Sequence, residues 1–367
     1  MDKIKIIVVD DSAFMRKAIS DMIESENNFE VIAKLRDGRE LIEKIDKYTP
    51  DLITLDVHMK DLGGLETLKE LKRLGKSYPV LMVSSATTEG SELTLECLDN
   101  GAISFVTKPS GSISLDIIKV KKDLIEEIKS ITSNVNSRRK IVGVDNRTIY
   151  KSNNDITVSN SDSIKEKDIR SLSTTFKNKK IDAVVIGAST GGPKALQEVL
   201  TKLPSDLSVP VFVVQHMPEG FTKVFSERLD KACKMTVVEA SEGMGINRNT
   251  IYIAKGGQHM TVGSKNMIHL NEEPAIWGVR PAVDKLFNSA IKVYGGNLIS
   301  VILTGMGRDG ADGTGNIKDN GGITISEDKS SCTIYGMPKA AFETGKVDLV
   351  VPLGEVANAI IKIIKGT

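Results

Sequence analysis

The chain has 367 residues, with 49 lysines and arginines against 48 aspartates and glutamates, and a formal net charge of +1. That length suits two domains rather than one, and so even a balance gives no field directed at nucleic acid or a membrane surface. Cys97, Cys233 and Cys332 are odd in number, far apart and in no metal-ligand spacing, which argues against a disulfide framework and for a reducing, cytoplasmic setting. The opening MDKIKIIVVDDS ends its apolar run in two aspartates, the mark of a strand rather than a signal peptide. No apolar stretch approaches the ~20 residues that span a bilayer, so no membrane insertion is expected.

Over residues 4–130 apolar runs alternate with segments of helical period. IKIIVV, VIAKL, LITLD, PVLMVSS and SFVTK read as five strands. All but the second are almost continuously apolar or β-branched, as in a parallel sheet covered on both faces. FMRKAISDMIES and GLETLKELKRLG carry apolar residues at helical spacing, with Ser12 placed to cap the first. The repeat predicts a doubly wound α/β unit.

In such a sheet the strand ends meet at the crevice where ligands bind. Asp10 and Asp11 end the first strand, Asp56 the third, Ser84 the fourth, and Lys108-Pro109 the fifth. Carboxylates gathered there repel one another unless a cation joins them, and hard oxygen donors in small number favour Mg²⁺. A carboxylate beside Mg²⁺ and a lysine suits phosphoryl transfer, since both cations neutralise the transferred oxygens. On these residues, 4–125 resemble the receiver domain of bacterial response regulators. The resemblance implies a flavodoxin-like (βα)5 fold, Asp56 as phospho-acceptor, and Asp10, Asp11 and Asp56 as metal ligands. His58 would add its backbone carbonyl to the metal. Ser84 and Phe105 match the family's switch residues and Lys108 its phosphate-contacting lysine.

From 131 to 180 the chain is rich in Ser, Asn, Thr, Lys and Arg without sustained period, and reads as a linker. It separates a unit at 1–130 from one at 181–367. The second unit starts IDAVVIG, a strand, followed by GGPKALQEVLTKL, a helix with Pro193 in its first turn. VFVVQ, TVVEA, TIYIA, ISVILTG and GITISE are further strands, with a polar, glycine-containing stretch between TIYIA and ISVILTG. A second doubly wound, mostly parallel sheet is expected.

Gly187-Ala188-Ser189-Thr190-Gly191 is G-x-S-x-G between a strand and a helix. That is the setting of a nucleophile elbow, although such a turn equally suits phosphate binding. VFVVQ runs into His216, and ISVILTGMGR into Asp309. A serine hydroxyl needs a base, and a histidine oriented by a carboxylate supplies one. Gly305, Met306 and Gly307 lie in the loop before Asp309, where backbone N–H groups suit an oxyanion; Met306 itself fits either that role or core packing. The Thr190 hydroxyl either assists the chemistry or caps the helix.

GASTGGP, QHMPEGFT, VRPAVDKLF and LTGMGRDGADG resemble the chemotaxis methylesterase family, which hydrolyses glutamate methyl esters and deamidates glutamines. With the receiver-like part, the resemblance covers almost the whole chain outside the linker. It implies a Ser189–His216–Asp309 triad with Thr190 and Met306 adjoining, and Arg280 on the substrate-facing surface. It further implies methyl-accepting chemotaxis receptors as substrate, a chemotaxis histidine kinase as phospho-donor, cytoplasmic work at membrane receptor arrays, and no cofactor in the hydrolase site. Two features depart from the family: Lys255 stands where proline is usual, and the linker is long and polar. A nucleic-acid-binding output would call for a basic segment near the C-terminus, where VVPLGEVANAIIKIIKG is mostly apolar. A receptor-binding scaffold without chemistry would not need all three triad residues.

Overall fold

The computed structural model describes residues 3–85, 87–108, 114–142, 176 and 179–366. The expected linker at 131–180 falls mostly outside these residues, as does Pro109.

The N-terminal unit runs β1 (Ile4–Val9), α1 (Ala13–Glu24), β2 (Phe29–Leu35), α2 (Gly38–Lys44), β3 (Leu52–Asp56), α3 (Gly64–Arg73), β4 (Val80–Ser84), α4 (Thr88–Asp99), β5 (Ser104–Thr107) and α5 (Ser114–Val142). Its strands lie in the order β2-β1-β3-β4-β5, and every pairing is parallel. β3 and β4 are buried at every residue, which is why neither alternates polar with apolar. Ser12 caps α1 through Met15 N. α5 continues well past residue 130, so the end of the unit is a helix and not a loop.

The C-terminal unit runs β6 (Ala183–Ala188), α6 (Gly192–Leu200), β7 (Val211–Gln215), α7 (Phe221–Ala232), β8 (Thr236–Glu239), β9 (Thr250–Ile253), β10 (His259–Gly263), β11 (Met267–Asn271), α8 (Val283–Tyr294), β12 (Leu298–Ile302), α9 (Ala311–Asp319), β13 (Ile323–Glu327), α10 (Met337–Glu343), β14 (Leu349–Val351) and α11 (Leu353–Lys365). Its main sheet, β14-β13-β12-β6-β7-β9-β8, is parallel throughout. The chain winds outward from β6 on one side and returns to β12 on the other. The central trio β12-β6-β7 therefore brings three carboxyl ends together at the switch point.

The polar stretch after β9 is more ordered than its composition suggests. β10 and β11 form an antiparallel hairpin, turned at Lys265 and Asn266, both at positive φ. Lysine is an unusual residue there, so the turn lacks the Asn-Gly signature by which such hairpins are read from sequence. α8 follows, with its inner face buried from Val283 to Ala290.

The two units share one seam. Phe105 of β5 stacks on Phe221 at the start of α7, ring centroids 4.5 Å apart. Asp99 at the end of α4 is ion-paired with Arg228 of α7. Leu95 and Leu98 belong to the same apolar cluster as Phe225 and Leu229, so the core is continuous across the seam.

Candidate active site

Ser189 leaves the end of β6, and the turn that lifts it needs glycine twice. Gly191 holds φ +78°, in the left-handed region. Gly305, on the loop after β12, comes so near that a Cβ there would lie 2.8 Å from Ser189 Cβ. His216 follows β7 directly and is nearly buried. Asp309, 2% exposed, lies beyond β12 on the far side of Ser189. His216 Nε2 and Asp309 Oδ2 are 2.8 Å apart. This pairing commits Nε2 to the carboxylate and leaves Nδ1 for a second partner. Among the described residues Ser189 Oγ has no hydrogen bond to His216; the two meet as walls of one cavity.

Asp309 is firmly held. Its Oδ2 accepts from Val283 N at 2.6 Å and its Oδ1 from Asp284 N at 2.9 Å, the amides that begin α8. Burial works against its ionisation, but the hydrogen bond and charge of His216 and those two amides outweigh it and keep the carboxyl below its ordinary range. Asp284 stands behind it, accepting from Gly313 N and from Trp277 Nε1. Burial pushes the Asp284 carboxyl up to about 6, with the Asp309 charge adding to the rise against the pull of Gly313 N. His259, fully buried, accepts from Ala282 N and donates to Pro274 O, and so fixes the loop leading to α8. That is a structural histidine. Arg280 donates to the carbonyls of Glu272 and Glu273, which binds it into the same loop.

The floor of the site is a lattice around Thr304. Its carbonyl accepts from Ser189 N at 3.0 Å, and its hydroxyl donates to Thr190 O. Its own amide donates to the buried carboxylate of Glu327. Ser189 N is thereby engaged, whereas among the described residues the amides of Met306 and Gly307 have no partner. Gln215, buried at the end of β7, donates to the carbonyls of both Ser189 and His216. Gln215 and Asp284 lie inside motifs noted in the sequence, yet nothing in their local pattern marks them; their partners come from distant segments.

In the N-terminal unit Asp10, Asp11 and Asp56 each bring a carboxylate oxygen within 4.8 Å of the others. Lys108 Nζ is 2.9 Å from Asp10 Oδ2 and 2.6 Å from Asp56 Oδ2. Burial drives the Asp56 carboxyl up to about 6, Lys108 pulls it down, and Asp10 adds to the rise. Two buried carboxylates and an exposed one, with a lysine as the cation at hand, are a donor set that fits a hard divalent ion. His58 is exposed, and its amide donates to Asp56 Oδ1. The Ser84 hydroxyl is fully buried, accepting from Thr94 Oγ1 and facing Gly90 O on α4.

The N-terminal unit also covers Ser189. A cavity of about 50 Å³ is walled by Ser189, Thr190 and His216 on one side and by Phe105 and Glu127 on the other. Glu127 Oε1 accepts from Thr190 Oγ1 at 2.9 Å. Glu127 carries no signal in the sequence, because an acidic residue on a charged helix is ordinarily a solvated one.

The CheB methylesterase family matches residues 184–360, and the response regulator receiver domain matches residues 6–117. The chain is 50% identical over 367 residues to a protein-glutamate methylesterase/protein-glutamine glutaminase of Clostridium acetobutylicum, covering 100% of this chain and 99% of that one. It is 42% identical to the protein of that name from Pyrococcus horikoshii, over 99% of this chain and 94% of the other. The crystal structure of the Thermotoga maritima CheB methylesterase catalytic domain shares 41% identity, covering 50% of this chain and 99% of that one, with a TM-score of 0.49. With identity this high along its whole length, the chain belongs to the CheB methylesterase family, with a response regulator receiver domain ahead of the methylesterase domain.

Proposed function

We propose that the protein hydrolyses glutamate γ-methyl esters, and deamidates glutamines, on methyl-accepting chemotaxis receptors. The observation that carries this reading is the His216–Asp309 pair at 2.8 Å, held beyond the carboxyl ends of β7 and β12 on either side of Ser189. Nδ1 of His216 takes the Ser189 proton as Oγ attacks the ester carbonyl. The proton passes to the departing methoxide, giving methanol and a glutamyl-serine ester. Water, deprotonated by the same nitrogen, then releases the glutamate and restores the serine. With glutamine the leaving group is ammonia. The Met306 and Gly307 amides are the candidate oxyanion donors. Methanol release from methylated receptor tests this reading: Ser189→Ala should abolish it, and turnover near wild type in that variant would refute the assignment.

Control is part of the same reading. Asp56 accepts the phosphoryl group from a chemotaxis histidine kinase. Asp10, Asp11, Asp56 and the carbonyl of His58 would hold Mg²⁺, which supplies charge neutralisation for the transfer. Lys108 contacts the phosphoryl oxygens, and Ser84 and Phe105 relay the change. Because Phe105 rests on Phe221, its movement loosens the seam over Ser189. The division into 1–130, a linker at 131–180 and 181–367 belongs to this proposal, as does cytoplasmic work at receptor arrays. No described helix is long and apolar enough to cross a membrane.

A further inference from the structure

Helix α5 lies across the catalytic face like a bound ligand. Toward its start, Lys122 Nζ reaches within 3.3 Å of the point where a Cβ on Gly278 would sit. Further along, Lys129, Ser130 and Ser133 form one wall of a groove whose other wall is Met306, Gly307 and Tyr335. Between these two contacts Glu127 enters the cavity of Ser189 and His216. Its Oε1 takes the Thr190 hydroxyl at 2.9 Å. Its Oε2 is shut off from solvent and, among the described residues, forms no hydrogen bond, although the Ser104 hydroxyl also acts on the carboxyl.

A carboxylate oxygen buried without a donor is unfavourable, and a seam needing only a polar contact would avoid it. The arrangement makes sense if the site is shaped for a glutamyl carboxyl group whose second oxygen is the one exchanged in the reaction. Resting on the esterase reading above, we infer that α5 seats Glu127 in the acyl subsite as an intramolecular product, with Thr190 Oγ1 as the donor that receives the glutamyl carboxyl. Burial also pushes the Glu127 carboxyl up to about 7, against the Ser104 and Thr190 hydroxyls, and so toward the uncharged form that resembles an ester or amide.

The consequence is chemical. A glutamine at position 127 becomes a substrate in cis. Ser189 Oγ adds to its side-chain carbonyl, and ammonia leaves with the proton carried by His216. Water then cleaves the resulting ester, so that amide and water become carboxylic acid and ammonia with no other reagent. The cavity of about 50 Å³ has room for that water, which needs roughly 10–15 Å³.

The test uses the full-length, unphosphorylated Glu127→Gln protein, alone and combined with Ser189→Ala, with residue 127 identified by peptide mass mapping. With Ser189 present the residue should be found as glutamate, with label from ¹⁸O water in its carboxyl. With Ser189→Ala the amide should persist. Persistence of the amide in a Glu127→Gln preparation that still releases methanol from methylated receptor overturns this inference and leaves the esterase reading intact. Loss of methanol release from the wild-type protein as well sinks that reading and this one together. A second measurement stands apart from self-processing: Glu127→Ala should lower KM for methylated receptor several-fold without lowering kcat, as removal of a competitor does. An unchanged KM would also overturn it.

Discussion

At the scale of single residues the site is decided by which group holds which. Asp309 receives two main-chain amides and the His216 ring, so its replacement by asparagine keeps the shape but loses the charge that fixes the imidazole proton on Nε2. Asp309→Asn should lower kcat by about 10³–10⁴ with little change in KM, measured by steady-state kinetics on methylated receptor. Asp284 holds no reacting atom. Its carboxyl satisfies Gly313 N, at the start of α9, and the Trp277 indole. Asp284→Ala strands both donors and should destabilise the fold by about 1–3 kcal/mol, visible as a lower denaturation midpoint.

At the scale of elements the decisive contacts are β5 on α7 and α5 on the elbow. Phe105→Ala removes the stacked pair at the seam, and the resting turnover of the unphosphorylated protein should rise. The docking of α5 should also depend on pH. Docked Glu127 titrates near 7, against 4.5 when free, and burial is the main cause. The docked state therefore keeps a proton that the released state loses, so docking is strongest below 4.5, weakens as pH rises to about 7 and is flat beyond. Asp123 on the same helix is also raised by burial; Glu126 on that helix and His216 across the cavity are the other titratable neighbours. The ratio of wild-type to Glu127→Ala turnover should thus climb between pH 5 and 7, and a level ratio would contradict the docked titration. How an element reads from sequence follows the same physics. The parallel strands are plain because they are apolar on both faces. The β10–β11 hairpin is hidden because its turn uses Lys265-Asn266.

At the scale of the whole molecule the N-terminal unit supplies part of the wall around Ser189. Ser189 faces a small cavity of about 50 Å³ whose wall Phe105 and Glu127 complete. On the proposed function, a receptor side chain would reach the serine once the seam opens. Addition of a small phosphoryl donor with Mg²⁺ should therefore raise kcat/KM on receptor and increase amide exchange in α5, and Asp56→Asn should show neither change. Since α5 runs to Val142, a truncation meant to free the catalytic unit should be cut beyond that residue, so that no part of the covering helix remains.

The sequence by itself determined the two sheets, the acidic crevice and the order Ser189, His216, Asp309. Each of these is written locally, as an apolar run that ends in a polar residue, and strand ends in parallel sheets collect at one edge. Only the tertiary structure decided that Nε2 of His216 faces Asp309, that Ser189 N is engaged by Thr304, and that Glu127 closes the site. Those depend on partners well separated in the chain, and no local pattern records where a distant helix comes to rest.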